Sequence, residues 1–200
     1  VVFAVTLHEA AHGYVAYKLG DDTAFKLGRI TANPLKHIDL IGTIVLPMVL
    51  MLTSGFIFGW AKPVPVNQNK LRRPKRDFVI VALAGPTSNF LMGIFWVSIL
   101  KLCLWFPHND ALYYIGLMCQ AGITINVLLM VLNFIPIPPL DGSRFISYVL
   151  PPPWDKRFDK ITSFGIIIIL VLIATGVLSK IMLPAIAFVQ HGLFALYQIH

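Results

Sequence analysis

A chain of 200 residues that is 57% hydrophobic, 12% charged and formally +7 at neutral pH, with a mean hydropathy of +0.77, lies far from the average of a soluble domain. Sixteen basic and nine acidic residues are too few to clothe a soluble helical bundle, which leaves a membrane protein. The basic excess does not point to nucleic acid, because its clusters lack arginines interleaved with stacking aromatics.

A hydrocarbon core takes about 20 apolar residues per spanning helix. The stretches 1–19, 41–58, 78–100, 111–135, 161–179 and 181–199 qualify or nearly do, and 111–135 and 161–179 contain no charge. The chain opens inside the first stretch, with Val rather than Met, so an N-terminally truncated piece of a longer protein is expected.

That first stretch reads "VTLHEAAHGYVAY", Val5 to Tyr17. Glu9 is the only glutamate in the chain and stands between His8 and His12, giving H-E-x-x-H. On a helix, positions i and i+4 share a face, so both imidazoles reach one metal and the glutamate hangs beside it as a base. Ionisable groups inside a membrane segment are costly and mark function. The plainer alternative is a pair of histidines bonded to neighbouring helices.

Between the first helix and residue 78, polar and basic segments lie on either side of the apolar stretch 41–58. Lys62, Lys70, Arg72, Arg73, Lys75 and Arg76 crowd one loop, Lys156, Arg157 and Lys160 another, whereas 107–110 carries no Lys or Arg. This is the positive-inside pattern, with the basic loops cytoplasmic. Segment 41–58 is short, is broken by Pro47 and Gly55 and is basic on both flanks; a re-entrant element is expected there, allowed where backbone lines a water-filled cavity. Pro63 and Pro65 in "WAKPVPV" hold the following loop extended. Cys103 and Cys119 have no metal or redox spacing and read as packing residues.

A catalytic zinc takes three protein ligands, so a third is needed. Asp21, Asp22, Asp39, Asp77, Asp110, Asp155 and Asp159 all have solvated or helix-end readings, while Asp141 stands in "LNFIPIPPLDGSR" directly after the uncharged stretch 111–135. Pro136, Pro138 and Pro139 stop the helix, and Gly142 lets the backbone turn beside the carboxylate.

H-E-A-A-H, "AGPTSNF" (Ala84 to Phe90) and "NFIPIPPLDG" (Asn133 to Gly142) resemble the three signature motifs of the site-2 protease family of intramembrane zinc metalloproteases. The intervening "GDDTAFKLGRITANPLKHIDLIGT" and "FGWAKPVPVN" are similar to the compact bacterial and archaeal branch without a PDZ domain. The likeness runs from about Val5 to Arg144 and departs at Ser143 and Ala32, neither of them a ligand position. It implies one zinc held by His8, His12 and Asp141, Glu9 as catalytic base, and Asn89 and Asn133 near the site. It further implies that a transmembrane substrate, unwound, adds to an edge strand that Gly28, Arg29, Ile30 and Thr31 resemble; an ordinary surface turn is the alternative. Asn126 reads as an interhelical bond.

The expectation is therefore an all-α polytopic membrane protein, a single domain over 1–200. It has about five transmembrane helices, a re-entrant element at 41–58 and a short β-strand or hairpin region near 25–35, with 1–145 as catalytic core and 161–199 as C-terminal helices. Expected partners are transmembrane protein substrates and membrane lipid, in the plasma membrane of a prokaryote with the site toward the cytoplasm. The competing classes are a zinc-loaded membrane protein without proteolytic activity, such as a transporter or inactive relative, and a hydrolase of lipids or small molecules.

Overall fold

The computed structural model describes residues 1–54, 59–106, 109–161 and 164–199. Among them it is all-helical, without a strand, and the chain divides into two compact units, Val2–Ala84 and Gly85–His200.

The first unit opens with α1 (Val2–Lys18), which Gly20 ends at a φ of +112°, a value open to glycine. The fully buried Asp21 then accepts from the backbone N–H and hydroxyl of Thr23, at the head of α2 (Thr23–Lys26), and from the N–H of Asn67 at 2.6 Å. Its neighbour Asp22 binds the ammonium groups of both Lys26 and Lys70. Lys26 and then Lys70 hold the Asp22 carboxyl down to about 2. With the folded value lowered, whatever this pair contributes is present above the ordinary carboxylate range and is lost as pH falls through about 2. Residues 19–26 and 67–72 are thus bound together, Arg72 N–H to Leu19 carbonyl included.

Asp39 caps the next element, accepting from Ile41 and Gly42 N–H while its own N–H donates to the Thr43 hydroxyl. A π-helical turn, Leu40–Val45, leads straight into α3 (Leu46–Ser54). Pro47, expected to break this segment, instead sits in the first turn of α3, where a proline is tolerated. In π register its missing N–H would have served the Gly42 carbonyl, and that carbonyl accepts the Trp60 N–H at 3.0 Å. A side chain on Gly59 would stand 2.4 Å from the same carbonyl and 2.7 Å from Pro47 Cγ. The chain that leaves at Leu40 has therefore come back to the level of Gly42 by residues 59–60. Residues 55–58, the far end of the expected re-entrant element, lie outside the described residues.

The strand expected near 25–35 is not there. Gly28 takes a φ of +61°, and the N–H groups of Gly28 and Arg29 are used by the carbonyls of Phe25 and Ala24, closing the end of α2. Donors consumed by a helix end are not available to a strand ladder, and Gly28–Thr31 is a turn followed by a bend.

α4 (Pro74–Leu104) starts with a proline at its first position and with Asp77 accepting the Arg73 N–H at 2.8 Å. The second unit holds its later turns, α5 (Asp110–Phe134, capped by Asn109), α6 (Gly142–Val149), α7 (Trp154–Ile161), α8 (Gly165–Ala174) and α9 (Val177–Leu196). α4, α5 and α9 are long and apolar enough to cross a membrane. Val97 and Leu100 of α4 meet Ile123, Val127 and Met130 of α5 and Leu178, Met182 and Leu193 of α9 in one apolar core.

The expected span 161–179 contains α8, which at ten residues is about 15 Å long. It stops because the Thr175 hydroxyl turns back to the Val171 and Leu172 carbonyls and Gly176 enters the left-handed region at φ +71°, after which α9 begins. Residues 162–163 and 107–108, within the expected span 161–179 and the neutral loop, are outside the described residues.

Inside this core Asn89 of α4 donates to the side-chain carbonyl of Asn126 on α5 at 3.0 Å, and Asn126 donates to the Gly122 carbonyl at 2.8 Å. Both asparagines are fully buried. An Asn89→Ala, Asn126→Ala double-mutant cycle, followed by unfolding in micelles or bicelles, should give a coupling of about 0.6 kcal/mol and not above about 1.7.

Candidate metal centre

The site is built first from α1. His8 and His12 lie one turn apart on its face, both buried. Their rings stand edge to face with centroids 4.7 Å apart, and the two Nε2 atoms approach to 3.1 Å. The far nitrogen of His12, Nδ1, lies 2.7 Å from the carbonyl oxygen of Val81 in α4. A carbonyl oxygen only accepts, so Nδ1 carries the proton and Nε2 of the neutral ring presents a lone pair toward His8.

This donor set fits a divalent metal. Two nitrogens held at zinc distances by one tetrahedral ion are about 3.3 Å apart, close to the 3.1 Å seen. The outward N–H of one imidazole is bonded to a backbone carbonyl, the arrangement that orients metal-bound histidine.

Glu9, next to His8, points its Oε2 at the backbone N–H of Val64, 2.7 Å away. Val64 belongs to a strap, residues 59–67, that runs without helix across the unit. The strap is bonded at nearly every step: Trp60 N–H to Gly42, Thr43 hydroxyl to the Trp60 carbonyl, Lys62 N–H to His37, and Asn67 N–H to Asp21. Gly13, on α1, lets it come close. A Cβ there would be 3.0 Å from Val64 Cγ1 and 3.1 Å from Ile30 Cγ1.

Arg29 and Thr31, expected on a substrate-binding strand, have other bonds. The buried Arg29 guanidinium donates to the Lys62 carbonyl at 2.9 Å and the Pro63 carbonyl at 3.4 Å, and Thr31 O lies 3.1 Å from His37 Nε2.

The remaining expected residues belong to the second unit. Asp141 stands at the head of α6, half-buried, and its side chain does not cap that helix. It follows a turn that Gly142 makes feasible, since a Cβ there would fall 2.5 Å from the Phe134 carbonyl oxygen. Asn133 Nδ2 donates to Leu129 O at 2.9 Å within α5, and Asn89 is bonded to Asn126.

Sequence reasoning missed the two groups that orient the histidine and the glutamate, because the Val81 carbonyl and Val64 N–H are backbone atoms without a residue signature. One signal did exist: in Pro63-Val64-Pro65 the middle residue alone has an N–H to give.

No protein-family model matches the chain, and no solved structure does. The relatives the chain matches include several that carry the name "Putative zinc metalloprotease". YwhC of Bacillus subtilis is 40% identical over 187 residues, 92% of this chain and 82% of the relative. Rip2 of Mycolicibacterium smegmatis is 27% identical over 180 residues, 90% and 66% of the two chains. MJ0611 of Methanocaldococcus jannaschii is 30% identical over 150 residues, 74% and 72%.

The chain belongs to the site-2 protease family.

Membership in this family supports a metallopeptidase with a zinc cofactor, and the donor geometry on α1 agrees with it. His8→Ala and His12→Ala should each lower zinc affinity by at least about tenfold, whereas Asn126→Ala should leave the metal content of purified protein unchanged; elemental analysis after dialysis against a graded chelator checks both.

Proposed function

We propose that this protein is an intramembrane zinc endopeptidase of the site-2 type, which hydrolyses peptide bonds in or near the transmembrane segments of other membrane proteins, as in regulated intramembrane proteolysis. The observation that carries the reading is the convergence of two histidines and a carboxylate on one apolar helix, His12 and Glu9 each oriented by backbone from a distant segment and His8 set against His12. Buried groups of this kind are expensive in lipid and mark chemistry.

In this reading His8 and His12, with Asp141 as the third ligand, hold one zinc per chain. Asp141 is assigned from its place in the motif "NFIPIPPLDG" and from the need of a catalytic zinc for three protein ligands. When bound, the metal supplies Lewis acidity, which makes water nucleophilic at neutral pH and polarises the scissile carbonyl. Glu9 takes the proton from the attacking water and delivers it to the leaving nitrogen. An N–H of Asn89 and of Asn133 donates to the carbonyl oxygen as it gains negative charge. In the structure Asn89 donates to Asn126, and Asn133 to the Leu129 carbonyl.

About five helices span the bilayer, and 41–58 enters and returns. The bond from Trp60 N–H to the Gly42 carbonyl supports this, as does the meeting of Lys26 and Lys70 at Asp22. Positive-inside places that basic face in the cytoplasm of a prokaryote, with the site toward it. Substrate helices are unwound before attack, since their amides are otherwise closed in their own hydrogen bonds; we assign their approach to the segment Gly28, Arg29, Ile30 and Thr31.

The test uses a fluorogenic single-span peptide with Gly and Pro at its centre, reconstituted with the protein in liposomes. Wild-type protein should cleave it faster than an unbroken helix of the same length. Glu9→Gln should retain zinc and lose cleavage, because an amide cannot accept the proton, while Asp141→Ala should lose both. Zinc bound without Glu9-dependent cleavage would instead indicate a metal-binding protein that is not a protease.

Topology is checked separately. With Cys103 and Cys119 replaced, cysteines placed at Lys26 and Lys70 should react with an impermeant thiol reagent from the same, cytoplasmic side. Labelling from opposite sides would rule out the re-entrant arrangement.

A further inference from the structure

We infer that Arg29 is a positioning residue for catalysis, acting on Glu9 through the peptide group that joins Pro63 to Val64; the inference rests on Glu9 being the base. That single peptide is bonded at both ends. Its carbonyl oxygen faces the Arg29 guanidinium at 3.4 Å, and its N–H faces Glu9 Oε2 at 2.7 Å. A trans peptide points its C=O and N–H in opposite directions, so a cation and an anion that never touch are coupled across one rigid plane. The guanidinium draws electron density to the oxygen and makes the N–H a stronger donor to the carboxylate, the polarisation expected along a hydrogen-bond chain in a low dielectric.

Three further observations support a purpose beyond holding a loop. Arg29 is buried and also grips the preceding carbonyl, Lys62, at 2.9 Å, which sets the angle of the strap and not just its position. Pro63 and Pro65 have no N–H, so the strap offers Glu9 one donor with a blank on either side, and the carboxylate cannot slip to a neighbouring amide. Gly13 stands one turn beyond Glu9 on α1, and a Cβ there would meet Val64 Cγ1 at 3.0 Å and Ala24 Cβ at 3.3 Å. The glycine gives the strap its close approach. A glutamate side chain has three soft torsions, and fixing one oxygen leaves the other in a defined place for a proton. Misplacement of a reacting group by about 1 Å costs about a hundredfold in rate.

This role differs in its kinetics from the substrate-binding one expected for Arg29 at an edge strand. A residue that binds substrate changes KM; one that aims the base changes kcat. The experiment measures kcat and KM, as mole fraction of the same broken-helix peptide in liposomes, for wild type, Arg29→Gln, Arg29→Lys and Glu9→Gln, with zinc content and thermal stability of each. Arg29→Gln should lower kcat by about tenfold to a hundredfold with KM and zinc unchanged. Arg29→Lys should recover part of the loss, since an ammonium reaches one carbonyl but cannot fork over two.

A wild-type kcat in Arg29→Gln, or a raised KM at unchanged kcat, overturns the inference. If Arg29→Gln loses its fold or its zinc, Arg29→Lys and Gly13→Ala carry the same comparison, the latter by pushing the strap outward. An undiminished kcat in both overturns it equally. Should wild type and Glu9→Gln cleave alike, it is the assignment of Glu9 as base that fails, and with it the ground for this one.

Discussion

The bond from His12 Nδ1 to the Val81 carbonyl, 2.7 Å long, is the interaction on which the centre depends. An imidazole in an apolar helix must satisfy two nitrogens where there is little water to do it. Giving one to a backbone carbonyl of α4 decides the tautomer and leaves the other as a lone pair beside His8. It also binds the middle of α1 to the start of α4, across 69 residues of chain. Without it the ring could rotate or protonate the wrong nitrogen, and a pair of donors 3.1 Å apart would be no more than two histidines in contact.

The same logic governs the rest of the first unit. Non-helical backbone that is covered by other elements leaves N–H and C=O groups that must find partners. Residues 59–67 find them one by one in Gly42, His37, Asp21, Arg29 and Glu9. Two prolines reduce the number of donors needing a partner. The acidic residues that looked merely solvated in sequence do much of this binding: Asp21 is fully buried, and Asp39 caps the turn that starts the returning element.

The second unit follows another rule. Its core of Val, Leu, Ile and Met side chains from α4, α5 and α9 gains packing from shape rather than from polar bonds, because lipid is as apolar as leucine. Among the described residues, polar bonds there run both along a helix and between helices. Ser98 bonds the Ile94 carbonyl and the Tyr197 hydroxyl, Thr175 bonds back along α8, and Asn89 meets Asn126. The last of these joins one of the expected catalytic asparagines to α5.

Sequence alone determined the helical, apolar class and the pair of histidines with an adjacent glutamate, because these depend on composition and on spacing along one helix, where i and i+4 always share a face; the family was legible as a resemblance carried by three separate motifs. Tertiary structure decided what lay between distant segments. Gly28–Thr31 closes the end of α2 instead of forming a strand, since α2 had already claimed its donors. Pro47 continues a helix instead of breaking one, since the carbonyl it leaves unserved is taken by Trp60. The stretch 161–179 holds a ten-residue helix, since Thr175 and Gly176 turn the chain early. Most consequentially, Val81 and Val64 orient the histidine and the glutamate with backbone atoms that every residue but proline possesses alike. Apart from the prolines on either side of Val64, such groups leave no mark in a sequence, and only the path of the chain determines which of them arrives at the site.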